Sequence, residues 1–553
     1  MKFPATRSRW RRMSHPAFPS SARSFLLVYA IGVVGCASAQ VPSSAAPPAA
    51  SEDSLPRLVL LLTVDAFRAD YMDRWPGQMT GGVERLFRGG AYFPMAIHDH
   101  ALTSTAPGHA VIGSGRFPGS TGIISNAEGV GGEEFPLIAG VGFGASPSDF
   151  QGTTLADWMS QHDRRTRVFA TSYKDRSAIL PVGRRVADVY WYSGSGLFTT
   201  STYYRKELPE WVQAFNARGL AWDYADRTWN LLLPESEYPE PDSEPAENLG
   251  QGFTFPHTSG DTPRYAPTVL RATPWVDELT LQFALAGFHA LGLGRGPQTD
   301  FMAVGLSGTD PVGHTYGPDS REVHDQVLRL DRQLGAFLDS IFAVVGEHRV
   351  LIVLTSDHGL TPLAGVVRPG RTGARYRVTT TSVLAPIRAE LAQRGVDPSA
   401  VQIDFGVVNV DSQALRAGGV DPDSVISKIA ATARITPGIA RVDRPSELAR
   451  ADTVNDYVAR RWLHTLAPQM PGALVLTVAP GSYWSGTGEA NHGGPHADDV
   501  TIPLVFFGRP FVQQRLVSPA RPVDIAPTLA RVLGLTPAER LDGVVLDAAL
   551  RKR

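Results

Sequence analysis

The stretch RLVLLLTVDAFRADYM, from Arg57 to Met72, decides the fold. Its apolar run, Leu58 to Val64, predicts a strand buried on both faces, the type found in parallel sheets, and it ends on Asp65. Two more runs repeat the pattern. DFMAVGLSGTD (Asp300–Asp310) ends near Asp310, and HRVLIVLTSDHG (His348–Gly359) ends on Asp357 and His358. Helical periodicity lies between them, most clearly over Arg321 to Val344. Buried strands alternating with helices predict an α/β fold: a central, mostly parallel sheet flanked by helices. Sites in such sheets lie beyond the carboxyl ends of the strands.

A single aspartate at a strand end is an ordinary turn or cap residue. Here several acids and imidazoles gather at the expected site edge. They are Asp65, Asp310 with His314 in TDPVGH, Asp357 with His358 in SDHG, and His492 with His496 in NHGGPH. Carboxylate plus imidazole donors suit zinc or a similar divalent ion. The set exceeds what one tetrahedral ion needs, so it implies two. A metal pair about 4 Å apart clamps the attacking and leaving oxygens of an in-line phosphoryl displacement. It also lowers the pKa of a coordinated hydroxyl, so that Thr or Ser can act as the nucleophile.

HALTSTAPGHAVIGSGRFPGSTGIISN, from His100 to Asn126, supplies such hydroxyls. Thr105 precedes a segment in which Pro107 and small residues can open a helix, and a helix N-terminus favours a phosphoryl group. Thr105 is either the nucleophile or an N-cap, with Thr103 and Ser104 as neighbouring alternatives. Beside the metal set, the nucleophile is the preferred reading. His109 lies a helical turn away and reads as structural or as supporting a ligand.

The segments TVDAFRADYM, TSTAPGHAVIGSGRFPGSTGIISN, TDPVGHTYGPDS, LTSDHG and NHGGPH, in this order, resemble the alkaline phosphatase superfamily. They are closest to its branch of threonine-nucleophile bacterial phosphate monoesterases, related to the nucleotide pyrophosphatase/phosphodiesterases. RPVDIAPTLARVLGLTPAERLDGVVL (Arg521–Leu546) is similar to the closing helix and strand of that superfamily. The resemblance implies hydrolysis of phosphate monoesters over a broad range, through a covalent phosphothreonine on Thr105 at a two-zinc site. It implies one ion held by Asp65, Asp357, His358 and the Thr105 oxygen, and another by Asp310, His314 and His492. Asn126 matches the asparagine that donates to a phosphate oxygen. SYKDRSAILP (Ser172–Pro181) matches the segment whose cations bind phosphate, which puts those roles on Lys174 and Arg176. The chemistry agrees, because a monoester has one more exposed charged oxygen than a diester, and two cations would stabilise it. One departure is visible: the family's H-G-x-P-Y reads HGGPH here, with His496 at the tyrosine position, so both His492 and His496 are candidate ligands.

Composition bounds the remainder. A net charge of −2 gives no push toward nucleic acid or anionic membrane, and no nucleic-acid module is evident. The N-terminus reads as a signal peptide over residues 1–39: TRSRWRR, the short apolar run Ser24 to Gly35, and ASAQ with cleavage after Ala39. VVGC offers the alternative of a lipoprotein acylated on Cys36, the single cysteine, which leaves the mature chain without disulfides. Residues 40–55 read as a disordered linker, and 56–553 as the catalytic domain. Insertions at about 183–273 and 363–485 are expected to cap the site, the second β-rich at ARYRVTTTSV and GALVLTV. The expectation is a periplasmic or secreted monomer acting on small phosphate esters, with no membrane span after processing. Rival readings are a phosphodiesterase on the same core, a non-catalytic metal-binding protein and, more weakly, a sulfatase.

Overall fold

The computed structural model describes residues 55–552, apart from 128, 225–226, 259–269, 367–373, 467–472 and 487–488. The expected signal peptide, Cys36 and all but the last residue of the linker lie outside the described residues. Among the described residues, no helix is long and apolar enough to cross a membrane.

Among the described residues, nine strands make the central sheet. In chain order they are β1 (Leu58–Val64), β2 (Ala91–Ile97), β3 (Val168–Ser172), β4 (Asp188–Tyr192), β5 (Phe198–Thr199), β6 (Asp300–Leu306), β7 (Val350–Thr355), β8 (Thr501–Phe507) and β9 (Gln514–Arg515). Their order across the sheet is β9-β2-β8-β7-β1-β6-β3-β4-β5. β8 runs antiparallel to both of its neighbours and β5 antiparallel to β4; the other pairings are parallel.

The continuous apolar character of β1 has a packing cause. Leu58, Leu60, Leu62 and Val64 join one hydrophobic cluster, while Val59 and Leu61 join another on the opposite face. Helices Gly82–Gly89, Trp275–Ala290 and Arg321–Val345 cover the first face; Thr105–Ser114, Leu155–His162 and Ile525–Leu533 cover the second. Register then positions the chemistry. Val64 pairs with Leu306, and Thr63 pairs with Thr355. Asp65, the Ser307–Asp310 turn and Asp357 therefore leave the sheet at one edge.

The two insertions differ from the expectation in informative ways. The first begins with β4 and β5, which extend the central sheet instead of capping it. Its later part binds the Arg321–Val345 helix: Trp229 Nε1 donates to Asp325 at 2.6 Å, and Tyr238 donates to the same carboxylate at 2.7 Å. The second forms a subsidiary sheet of Val401–Asp404, Val407–Val410, Leu474–Val478 and Ile439–Asp443. Helices Thr380–Gln393 and Pro422–Ile435 cover it, around a separate core. Within ARYRVTTTSV only Arg377–Val378 is strand. The Thr379 side chain accepts from Ser382 N and caps a helix that starts at Thr380, which overrides the β preference of the threonine run.

Candidate metal and phosphoryl-transfer site

The site is assembled from loops at the common sheet edge. Asp65 follows β1, and the next residue, Ala66, sits in left-handed backbone (φ 58) with its N–H 3.2 Å from Asp357 Oδ1. Strain in a non-glycine residue beside a buried acid is typical of a functional turn. Asp357 Oδ1 also accepts from His358 N at 3.0 Å, which leaves Oδ2 to face the interior of the site. Asp310 is the second residue of the helix Thr309–Tyr316, and His314 lies one turn further on the same face. His492 comes from the loop that precedes β8.

These residues meet. His314 Nε2 is 3.1 Å from Asp310 Oδ1, and His492 Nε2 is 3.7 Å from the same atom. His358 Nε2 is 3.4 Å from Asp65 Oδ1 and 3.5 Å from Asp357 Oδ2. The His358 and His492 rings stack with centroids 3.7 Å apart. Two groups have donor atoms close enough to hold an ion: Asp65, Asp357 and His358, and Asp310, His358 and His492. His358 stands between the two, and His314 approaches the second group through Asp310.

The hydrogen bonds behind the histidines fix their tautomers. His314 Nδ1 lies 2.7 Å from Ala490 O, His358 Nδ1 2.8 Å from Gly359 O, and His492 Nδ1 2.7 Å from Thr103 O. A carbonyl oxygen only accepts, so each Nδ1 carries a proton. Burial pushes the pKa of His358 and His492 down, so those neutral rings turn an Nε2 lone pair inward, whereas at His314 burial is outweighed by the neighbouring Asp310, which raises it. Those lone pairs face carboxylate oxygens, acceptor against acceptor. Asp65 Oδ1, Asp310 Oδ1, Asp357 Oδ2 and His358 Nε2 are buried and make no hydrogen bond. Buried acceptors arranged this way need cations between them. The donor set therefore fits divalent metal.

Charge effects agree. Burial, then the neighbouring Asp357, pushes the Asp65 carboxyl up to about 7, and burial pushes Asp357 up to about 7. Burial also opposes ionisation of Asp310, but Lys174 and His314 outweigh it and hold that carboxyl well below its ordinary range. Lys174 Nζ lies 2.6 Å from Asp65 Oδ2 and 2.6 Å from Asp310 Oδ2, and against the pull of burial these acids keep it charged. Lys174 and His314 thus favour ionisation of Asp310, while burial disfavours ionisation of Asp65 and Asp357, the acids that further positive charge would stabilise.

Thr105 is buried and is the first residue of the helix Thr105–Ser114; Ser104, in extended backbone, is the N-cap. Thr105 Oγ1 is 3.4 Å from Lys174 Nζ. The helix can lie against the end of β7 because residue 108 is glycine: a Cβ there would stand 2.3 Å from Asp357 O. Asn126 Oδ1 accepts from Ala106 N at 2.9 Å, so its amide NH2 is the end left to donate near the helix N-terminus. Arg176 sits in the short helix Asp175–Ile179, and its one ion pair among the described residues is with Asp175, at 3.5 Å. Of the other hydroxyl candidates, Thr103 donates to Gly494 O at 2.9 Å. His109 is buried with Nε2 3.7 Å from Asp357 Oδ2, and burial pushes its pKa well below the usual value. His496 is turned away: Nε2 lies 2.7 Å from Val478 O and Nδ1 3.3 Å from Tyr457 OH.

Two supporting acids escaped the sequence reading. Asp277 accepts from Gly308 N at 2.9 Å and from Gln326 at 2.9 Å, and so fixes the turn before Asp310. Asp499 accepts from Thr361 at 2.6 Å and from Gly494 N at 2.8 Å, tying the His358 loop to the His492 loop. Asp277 left a signal, an acid within the apolar helix WVDELTLQFALAGF. Asp499, beside Asp498 before a strand, left none.

Residues 59–372 match the type I phosphodiesterase / nucleotide pyrophosphatase family. The alkaline phosphatase PhoV of Synechococcus elongatus is 29% identical over 94% of this chain and 99% of that protein. The alkaline phosphatase PafA of Elizabethkingia meningoseptica is 30% identical over 86% and 91%. A protein of Myroides odoratus named as a calcium-transporting ATPase is 29% identical over 86% and 92%. The crystal structure of PafA superposes with a TM-score of 0.82 at 27% identity, covering 90% of this chain and 99% of that one. A PafA variant substituted at a threonine, an asparagine, a lysine and an arginine has also been solved. The threonine–asparagine and lysine–arginine spacings in it equal those of Thr105–Asn126 and Lys174–Arg176 here.

Proposed function

This chain belongs to the type I phosphodiesterase / nucleotide pyrophosphatase family, and from that premise we propose that it is an alkaline phosphatase. It hydrolyses phosphate monoesters of broad range through a phosphothreonine on Thr105. One observation carries the choice of monoester: the buried Lys174 ammonium, 3.4 Å from the Thr105 hydroxyl. A cation there suits the additional charged oxygen of a monoester, which in a diester bears a substituent. The alkaline phosphatases PhoV and PafA support the same reading.

Asp65, Asp357, His358 and the Thr105 oxygen would hold one ion, and Asp310, His314 and His492 the other. Carboxylate and imidazole donors favour zinc. When bound, the two ions supply Lewis acidity and lower the pKa of a hydroxyl at the position of Thr105. Thr105 Oγ1 attacks phosphorus, and the bond to the ester oxygen breaks. Water then opens the phosphothreonine and restores the hydroxyl. The Asn126 amide, Lys174 and Arg176 bind the phosphoryl oxygens and orient them for in-line attack. Asp277 and Asp499 hold the ligand loops in place. The enzyme acts as a monomer in the periplasm or outside the cell, after removal of its leader.

Thr105 is the point to test. Acid-quenched turnover of a monoester should leave one phosphoryl group on the peptide that contains Thr105. Thr105→Ala should abolish both the label and turnover, and chelation should stop turnover until zinc is returned. Turnover by metal-free protein, or a label on Ser104 or Thr103, contradicts the assignment.

A further inference from the structure

The inserted sheet approaches the site through, among other contacts, a two-residue turn. Strands Val401–Asp404 and Val407–Val410 pair antiparallel with Asp404 opposite Val407, so Phe405 and Gly406 form the hairpin loop. Both have positive φ, 42 for Phe405 and 92 for Gly406. A two-residue loop of this kind prefers Asn-Gly or Gly-Gly. A phenylalanine in left-handed backbone is held there against its own preference, which marks the turn for a role beyond reversing the chain.

Three site-bearing segments hold it. The Phe405 ring packs over Gly493, next to His492; a Cβ on Gly493 would lie 2.7 Å from that ring. Phe405 also packs against a hydrophobic cluster that includes Ala101 and Leu102, just before Thr103–Thr105. On the other side, Ser125 Oγ donates to Asp404 Oδ2 at 3.0 Å, and Ser125 adjoins Asn126. Ser125 is the one hydrogen-bond partner of the Asp404 side chain among the described residues, and both Asp404 and Phe405 are half-buried. A half-buried carboxyl group and an aromatic ring thus stand together against the segments that adjoin the nucleophile, the phosphate-binding amide and a metal ligand.

We propose that the Asp404–Phe405 turn is the leaving-group subsite, favouring alcohols that carry a cationic or donor group and disfavouring those with a further negative charge. This rests on the monoesterase reading. The carboxylate attracts a positive or hydrogen-bond-donating alcohol portion and repels an anionic one, and the ring supplies an apolar and cation–π face.

Three esters of similar size test it: 2-aminoethyl phosphate, ethyl phosphate and phosphoglycolate, assayed by phosphate release on the zinc-loaded protein. The wild type should prefer them in that order by kcat/KM. Asp404→Asn keeps the shape and an acceptor for Ser125 but removes the charge. It should lower the aminoethyl-to-glycolate ratio about fivefold or more, with ethyl phosphate little changed. Phe405→Asn suits the turn and removes the ring; it should lower the ratio of p-nitrophenyl phosphate to ethyl phosphate by a similar factor. Ratios taken on one preparation are insensitive to the folded fraction. Unchanged ratios, with ethyl phosphate still hydrolysed, overturn the subsite alone. No phosphate release from any ester by the wild type overturns the monoesterase reading and the subsite with it.

Discussion

At the scale of single residues, the site is decided by which ring nitrogen is tethered. His314, His358 and His492 each bind a backbone carbonyl through Nδ1 and leave Nε2 facing carboxylates. His496 has both nitrogens engaged elsewhere. Residue types and strand ends made the ligand candidates legible, but HGGPH offers two histidines, and the choice depends on Thr103 O and Val478 O, carbonyls distant in sequence. His492→Ala should release about one of two zinc ions and reduce kcat by roughly a hundredfold or more. His496→Ala should keep both ions and cost about 1–3 kcal/mol of stability through its lost hydrogen bonds. Metal stoichiometry measured beside kcat separates the two; the reverse pattern would make His496 the ligand.

At the scale of elements, the site depends on how closely the Thr105–Ser114 helix approaches β7. Helix propensity alone predicts that Gly108→Ala stabilises, by up to about 1 kcal/mol. The contact predicts the opposite, because the added Cβ would meet Asp357 O at 2.3 Å. The clash outweighs the propensity gain, since neither the strand end nor the helix can yield without moving a proposed ligand or Thr105. Gly108→Ala should destabilise by about 1–3 kcal/mol in denaturant unfolding and lower kcat roughly tenfold or more by displacing Thr105. A stabilised variant with full activity would show the packing to be slack. Elements differed in how clearly they could be read. β1, β6 and β7 are buried on both faces, so each appears as an apolar run that ends at the site. β4, with its aromatic DVYWY at the sheet's far side, lacks such a run and in sequence reads as part of a cap. The threonines after Val378 have strand-like composition, yet a single cap at Thr379 turns them into helix.

At the scale of the molecule, the second insertion is bolted to the loops that carry the chemistry. Arg460 Nε pairs with Asp99 Oδ1 at 3.1 Å, His464 Nδ1 lies 2.6 Å from Asp99 O, and Thr465 Oγ1 accepts from Ala101 N at 2.7 Å. Composition located that insertion between the site motifs, but its route back to the Thr105 loop follows from tertiary contacts alone. Fold and insertion together leave Lys174 buried between Asp65 and Asp310, and on its charge rests the claim that the enzyme takes monoesters. The most direct measurement is the ratio of kcat/KM for p-nitrophenyl phosphate to that for bis(p-nitrophenyl) phosphate, on zinc-loaded wild type and on Lys174→Ala/Arg176→Ala. The wild type should prefer the monoester, and the double substitution should reduce that preference roughly 30- to 1,000-fold while the diester changes little. A wild type that prefers the diester, or a double variant that loses both substrates by the same factor, would contradict monoester hydrolysis at this site.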